Sequence, residues 1–259
     1  YYVCQKCNAS DDNDGSREHP FRTLAKAAET AKAGDTVIIG GGTYYEIFAP
    51  KNDGTASNPI TFKAAEGADV EISACAVLGT PEGTEGDMLV YKALTDLGDG
   101  RNQIFYKGDN LTAGRHPNTH TVKREVPDIT GLSSIWPTQG NIKVSTEDRL
   151  KATSDTDLNQ EPDFWKGGTF VALTGGGWSL GTAKIESSEN GALYLTDTTK
   201  TWWFASKGEQ YDDYGYITDC KNTVDMPGEW AYEDGKIYII PPEGESADTL
   251  KIEQKVRQL

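Results

Sequence analysis

The residues of this 259-residue chain that could do chemistry are 40 aspartates and glutamates, 4 cysteines, 3 histidines and 6 tryptophans. Asp11, Asp12, Asn13 and Asp14 set oxygen donors side by side ahead of Gly15, a grouping that a hard cation such as Ca²⁺ could use. The full twelve-residue calcium loop with its closing Glu is absent. The run is therefore read as an Asx-rich turn whose side chains bond nearby amides, with Ca²⁺ as the alternative. The acidic stretch Tyr211-Asp-Asp-Tyr214 is read the same way. Cys4-x-x-Cys7 has the spacing of half a zinc or redox site, but no second Cys-x-x-Cys follows. Cys75 and Cys220 would complete a metal site only by folding onto it, so disulfides or buried thiols are expected instead. Four cysteines allow three pairings, and all stay open. Asn8-Ala-Ser10 and Asn110-Leu-Thr112 are glycosylation acceptors if the source is a eukaryote.

Aromatic and polar groups supply a second kind of site. Pyranose rings present C–H faces that stack on indole, which makes Trp178, Trp202 and Trp203 candidate carbohydrate contacts, joined by Arg115 and His116 of the Arg115-His116-Pro117-Asn118 motif. Neighbouring strand residues face opposite sides, so one of Trp202 and Trp203 is expected in a core and the other at the surface. Core packing is the alternative, and the commoner fate of Trp in small β domains. The Arg115–Asn118 motif also reads as a turn that organises a junction between β elements. Glycoside hydrolysis needs two carboxylates about 5–10 Å apart. With 40 acidic residues every nomination is arbitrary, so the catalytic residues stay unassigned. A Ser-His-Asp triad is not expected, because no Gly-x-Ser-x-Gly elbow is present.

These groups must be carried by a β-rich scaffold. Leu24, Ala27, Ala28 and Ala31 recur at helical spacing, with Thr23 as an N-cap and Gly34 placed to stop the helix. Short strands are expected at Thr36–Ile39, Glu46–Ala49, Ile60–Ala64 and Val70–Ser73, parted by Gly, Asn and Pro turns. Recurrence of short strands at a near-fixed period suggests stacked coils with the helix as a lid. From Val126 to Gly215 the rhythm changes to longer alternating strands with Trp136, Trp165, Trp178, Trp202 and Trp203, as in an antiparallel sandwich or small barrel. Glu229–Glu233 and Lys236–Ile240 flank Asp234-Gly235, a strong hairpin signal, and Leu250–Val256 resumes short-strand character.

The pattern D-G-S-x-x-x-P-F-x-T-L (Asp14–Leu24), A-G-D-T-V (Ala33–Val37), G-T-Y-x-E (Gly42–Glu46) and G-T-x-x-N-P-I-T-F-K-A (Gly54–Ala64) resembles the N-terminal region of secreted right-handed parallel β-helix, pectate-lyase-like carbohydrate-active proteins. Gln103–Asn118 and Met226–Pro242 look like the segments bounding a β-rich insertion in β-helical glycoside hydrolases. The resemblance implies an all-β fold: a β-helix start with a capping helix over 1–78, an inserted β-rich module over 79–245, and a resumed helix from 246 to 259. It further implies an N-terminal portion of a secreted polysaccharide-degrading enzyme, whose catalytic carboxylates lie on later coils. By the same resemblance those coils are expected on the same or another polypeptide, and this chain is expected to be inactive alone. The alternatives are a non-catalytic carbohydrate-binding module and a structural or adhesive β-helix.

Charge refines these expectations. A net charge of −15 argues against nucleic acid, since no basic patch is present to neutralise phosphates. It also disfavours polyanions such as pectate or alginate, which tilts the substrate towards a neutral poly- or oligosaccharide and the chemistry towards hydrolase over lyase. No apolar run of ~18 residues occurs, so no membrane-spanning helix is expected. The opening residues Tyr1–Val3 already read as strand, as in a processed, secreted protein.

Overall fold

The computed structural model describes residues 1–98, 101–118, 142–145, 150–174, 179–196, 214–247 and 250–257. The chain forms two compact units, Tyr1–Val77 with Glu253–Leu259, and Leu78–Ile252.

In the first unit, strands β1 (Tyr2–Val3), β2 (Thr36–Ile39), β3 (Gly42–Tyr44), β4 (Thr61–Ala64) and β5 (Val70–Ile72) all pair in parallel. β2 lies between β1 and β4, with Tyr2 opposite Ile38 and Thr36 opposite Thr61. β3 pairs with β5, Tyr44 opposite Ile72. Successive passes of the chain thus lay equivalent strands beside one another. Period-2 alternation turns Val37 and Ile39 inward, where they pack with Val3, Phe21 and Tyr44. The helix α1 (Leu24–Thr30) sets Leu24 and Ala27 into the same core.

Local chemistry fixes that helix. The Thr23 hydroxyl accepts the Lys26 amide at 3.1 Å, as an N-cap should. Asp11 accepts the amides of Arg22 and Thr23 through Oδ1 and the Thr23 hydroxyl through Oδ2, each at 2.9 Å. Two expectations need correction here. Gly34 does not stop the helix: Ala31 already turns extended (ψ 137°), and Gly34, at φ +92°, serves the bend into β2. The strand expected at Glu46–Ala49 lies instead at Gly42–Tyr44, because Tyr44 supplies the buried side chain, anchored by its hydroxyl to the Gly40 carbonyl at 2.8 Å. Glu46 turns to the helix start, accepting the Ala25 amide at 2.9 Å.

β6 (Cys75–Val77) ends this stretch of the first unit. The second unit opens with β7 (Gly83–Glu85), β8 (Met88–Lys92), the hairpin β9 (Ile104–Tyr106) and β10 (Asp109–Asn110), then β11 (Thr112–Ala113) and β12 (Arg115–His116). A closed six-stranded antiparallel barrel follows: β13 (Ile142–Val144), β14 (Lys151–Thr153), β15 (Thr169–Thr174), β16 (Ser179–Glu189), β17 (Ala192–Leu195) and β18 (Tyr214–Thr218). Closure comes from β18, which pairs with β13 on one side and β15 on the other, while β12 joins it at one end. Ile142, Phe170, Ile185, Leu193 and Ile217 fill the interior with Trp165 and Cys220. Asn190 and Gly191, both at positive φ, make the tight β16–β17 turn.

The chain then forms the hairpin β19 (Glu229–Glu233) and β20 (Lys236–Ile239), turning at Asp234-Gly235 as its sequence requires. With β11, β8 and β7 it makes a five-stranded sheet over a second apolar cluster that includes Tyr91, Ile104, Trp230 and Ile237. Last comes β21 (Ile252–Lys255), whose Glu253, Gln254 and Lys255 run antiparallel to Val77, Ala76 and Cys75. Among the described residues the chain is nearly all β with one α-helix, and its β-rich middle closes as a barrel rather than a sandwich.

Candidate functional site

Gly114 lies where the second unit passes from its five-stranded sheet to its barrel. A Cβ there would sit 2.7 Å from the Thr223 carbonyl and 2.8 Å from its hydroxyl, so a bare α-carbon is what lets the two segments meet. Its amide donates to the Trp230 carbonyl at 2.8 Å, and its own carbonyl accepts the Thr218 hydroxyl at 2.9 Å. Sheet and barrel are thereby bonded to one residue, which holds the following Arg115–Asn118 motif in place.

Three residues of that motif have defined partners. The Arg115 guanidinium lies 5.8 Å from the Tyr216 ring centroid. The His116 ring stacks on Trp165, with centroids 4.5 Å apart and planes at 23°, and its Nε2 shares a hydrogen bond with the Asp157 carbonyl at 2.7 Å. Asn118 donates to Asp225 Oδ1 at 2.6 Å. The backbone amides of Asp225 and Met226 donate in turn to Glu229 Oε2, at 3.1 and 3.2 Å. Arg115, His116, Asn118, Asp225 and Glu229 thus gather at one junction.

Glu229 is 4% exposed at the start of a strand whose middle residues, Trp230 to Tyr232, are apolar. Burial, assisted by the negative charge of Asp225, pushes its carboxyl up to about 7, against the downward pull of the two amides and of Arg115. A carboxyl that titrates near neutrality has the property general acid–base catalysis requires. Here its oxygen is engaged by two amides of its own turn, the arrangement of a group that closes the Asp225–Gly228 loop.

The structure brings Arg115 and His116 to this junction. Trp178, Trp202, Trp203 and Trp136 lie outside the described residues, as do Tyr211-Asp-Asp. Trp165 is core: its indole is 2% exposed and donates to Gln160 Oε1 at 2.9 Å. Asp225 and Glu229 were missed by sequence reasoning. The available signal was a charged residue immediately before the apolar run Trp230–Tyr232, two residues beyond Pro227.

In the acidic run Asp11–Asp14, Asp14 closes a local turn, whereas Asp11 reaches across to the start of the helix. Asp11 is committed to Arg22 and Thr23, and Asp14 Oδ1 accepts the Ser16 amide at 2.9 Å, a bond that holds the Asp14 carboxyl below its ordinary range. Cys4 and Cys7 form a disulfide, whereas Cys75 and Cys220 are buried thiols. Burial pushes the Cys220 thiol up to about 12, so it packs as an apolar group in the barrel core. Among the described residues no three His, Cys, Asp or Glu side chains are grouped so as to hold a metal ion.

Residues 7–50 match a family described as a protein of unknown function, DUF1565. The chain is 50% identical over 72 residues to the uncharacterized protein YwoF of Bacillus subtilis, and 36% identical over 76 residues to the pectate lyase PEL9 of Emericella nidulans. These matches cover 28% and 29% of the chain, and 15% and 18% of the two relatives. A solved structure titled "Glycoside hydrolase" superposes on 97% of the chain with a TM-score of 0.69 at 20% identity, the match covering 45% of that structure. The chain therefore shares its fold with somewhat under half of a larger protein.

Proposed function

We propose that these residues form the N-terminal part of a secreted polysaccharide-degrading enzyme of the right-handed parallel β-helix type. Its reaction is hydrolysis of a neutral glycan, by carboxylates on coils outside this chain. The observation that carries this reading is the superposition, over 97% of the chain, on a protein titled glycoside hydrolase. Three further features support it. Strands β2 and β3 pair in parallel with β4 and β5, as successive coils of such a helix would. The Cys4–Cys7 disulfide suits an oxidising, extracellular setting. The net charge of −15 favours a neutral substrate over a polyuronate.

A lyase reading has one specific observation in its favour, the 36% identity to a pectate lyase over 76 residues. One experiment separates the two. The whole natural protein is incubated with neutral glycans (xylan, mannan, β-glucan) and with polygalacturonate and alginate, following new reducing ends and unsaturated uronate products. Reducing ends from a neutral glycan without unsaturation are expected. Unsaturated products from a polyuronate would replace hydrolysis by elimination. Retention of a glycan with no cleavage product would reduce the reading to a binding module.

A further inference from the structure

The Cys4–Cys7 disulfide encloses Gln5 and Lys6 beside β1, and its two ends differ. Cys4 is half-buried, whereas Cys7 is exposed together with Gln5, Lys6 and Asn8. The Cys7 amide donates to Cys4 Sγ at 3.1 Å. An attacking thiolate therefore reaches Cys7 from solvent, and the sulfur it expels carries a donor that stabilises negative charge. The fold does not rely on this bond. On one flank Val3 is buried in the core, the Cys4 amide donates to the Phe21 carbonyl at 2.9 Å, and the Gly40 amide donates to the Val3 carbonyl at 2.8 Å. The Gln5 side chain donates to the Thr43 carbonyl at 3.1 Å. On the other flank the Pro20 carbonyl accepts the Ser10 amide at 3.2 Å and Asn13 Nδ2 at 2.9 Å. Both flanks are thus fixed by bonds that a reduced pair keeps. A bridge between residues three apart also removes little freedom from the unfolded chain, since that effect grows with loop length.

We infer that Cys4–Cys7 is a thiol–disulfide exchange site for small external thiols, entered at Cys7. In the first step the external thiolate bonds to Cys7 Sγ, the Cys7–Cys4 bond breaks, and its electron pair leaves on Cys4 Sγ as a thiolate. In the second step a further thiolate attacks the external sulfur of the mixed disulfide, releasing a small disulfide and the Cys7 thiolate. Two thiols are oxidised and the protein pair gains two electrons; the reverse sequence closes the bond again. The fixed flanks keep the two thiols within reach of each other for that return. Cys75 and Cys220 take no part, because both are buried. The inference is independent of any glycan chemistry.

The test incubates the whole natural protein, without denaturant, with reduced glutathione as the probe thiol. Acid-quenched samples are mapped by mass spectrometry, and amide hydrogen exchange of β1 and β2 is followed in parallel. Glutathione is expected on Cys7 at least roughly tenfold over Cys4, because access and leaving group both favour that sulfur. Amide exchange of β1 and β2 is expected to stay within about twofold of the oxidised protein. Glutathione disulfide is then expected to close the bond again, with Cys75 and Cys220 unmodified throughout. A bond that resists glutathione until denaturant is added would overturn the inference. Reduction that frees the β1 and β2 amides would overturn it too, making the bridge a structural staple. Equal capture on Cys4 and Cys7 would overturn the entry at Cys7.

Discussion

Asp225 is held from both ends by the junction: its carboxylate accepts the Asn118 side chain at 2.6 Å, and its backbone amide donates to Glu229 at 3.1 Å. The Glu229 carboxyl therefore controls a loop that the Arg115–Asn118 motif leans on. Because burial lifts Glu229 from an ordinary value near 4.5 to about 7, the fold favours its protonated form. The resulting stabilisation is full below about pH 4.5 and is lost as pH rises through about 7.

Glu229→Gln keeps the acceptor oxygen and removes the titration. Urea unfolding at pH 5 and pH 8 is expected to show the variant gaining on the parent by about 1–3 kcal/mol between the two, at ~1.4 kcal/mol per tenfold displacement of the proton equilibrium. A difference that stays constant with pH would mean that the amides and Arg115 hold the anion, reversing the assignment.

Much of the scaffold was legible because it rests on local chemistry. Thr23 as N-cap, β2 at Thr36–Ile39 and the Asp234-Gly235 hairpin are each specified within a few residues. Two readings failed where contacts distant in sequence decide. Gly34 looked like a helix stop, but the chain leaves the helix at Ala31, whose burial in the core outweighs another helical turn. The strand at Gly42–Tyr44 depends on Tyr44 filling the interior opposite Ile72, and no local pattern shows that. The junction was half legible. Arg115 and His116 stand out in the sequence, whereas Glu229 is defined by burial, by its bond to Asp225 and by the Asp225–Asn118 bond, which joins residues 107 positions apart.

Asp11 gives a test of the acidic run. Asp11→Ala removes three hydrogen bonds at the helix entrance and is expected to lower unfolding free energy by about 1–3 kcal/mol. Asp11→Asn retains an oxygen for the Arg22 and Thr23 amides and should lose less. Melting temperature is expected to be the same with Ca²⁺ or with a chelator. A calcium-dependent rise that vanishes in Asp11→Ala would restore the cation reading.

Trp165 and His116 provide a second test, on the packing that seats the motif. Trp165→Ala empties a buried indole from the barrel core and is expected to cost about 3–5 kcal/mol. His116→Ala loses the stack and the Asp157 bond at smaller cost. In a double-mutant cycle the pair should couple by about 0.5–1.5 kcal/mol, the range for stacked rings. Coupling near zero would mean that the ring contact contributes only shape.

Gly114 carries the sharpest geometric demand in the junction, and its substitution asks whether that approach is required. A methyl group there meets the backbone and hydroxyl of Thr223 below 3 Å, and neither is the yielding end of a long side chain. Gly114→Ala is therefore expected to cost about 1–3 kcal/mol through overpacking, read as a lower urea midpoint. Gly79→Ala is the matched control, because a Cβ there has nothing within 4 Å and its φ is not in the left-handed region. Equal midpoints for the two variants would show that the 221–223 turn yields freely and that the motif is positioned by His116 and Trp165 alone. A loss confined to Gly114→Ala would mean that the approach of these segments is a fixed part of the barrel's seating, with the Arg115–Asn118 motif held by it.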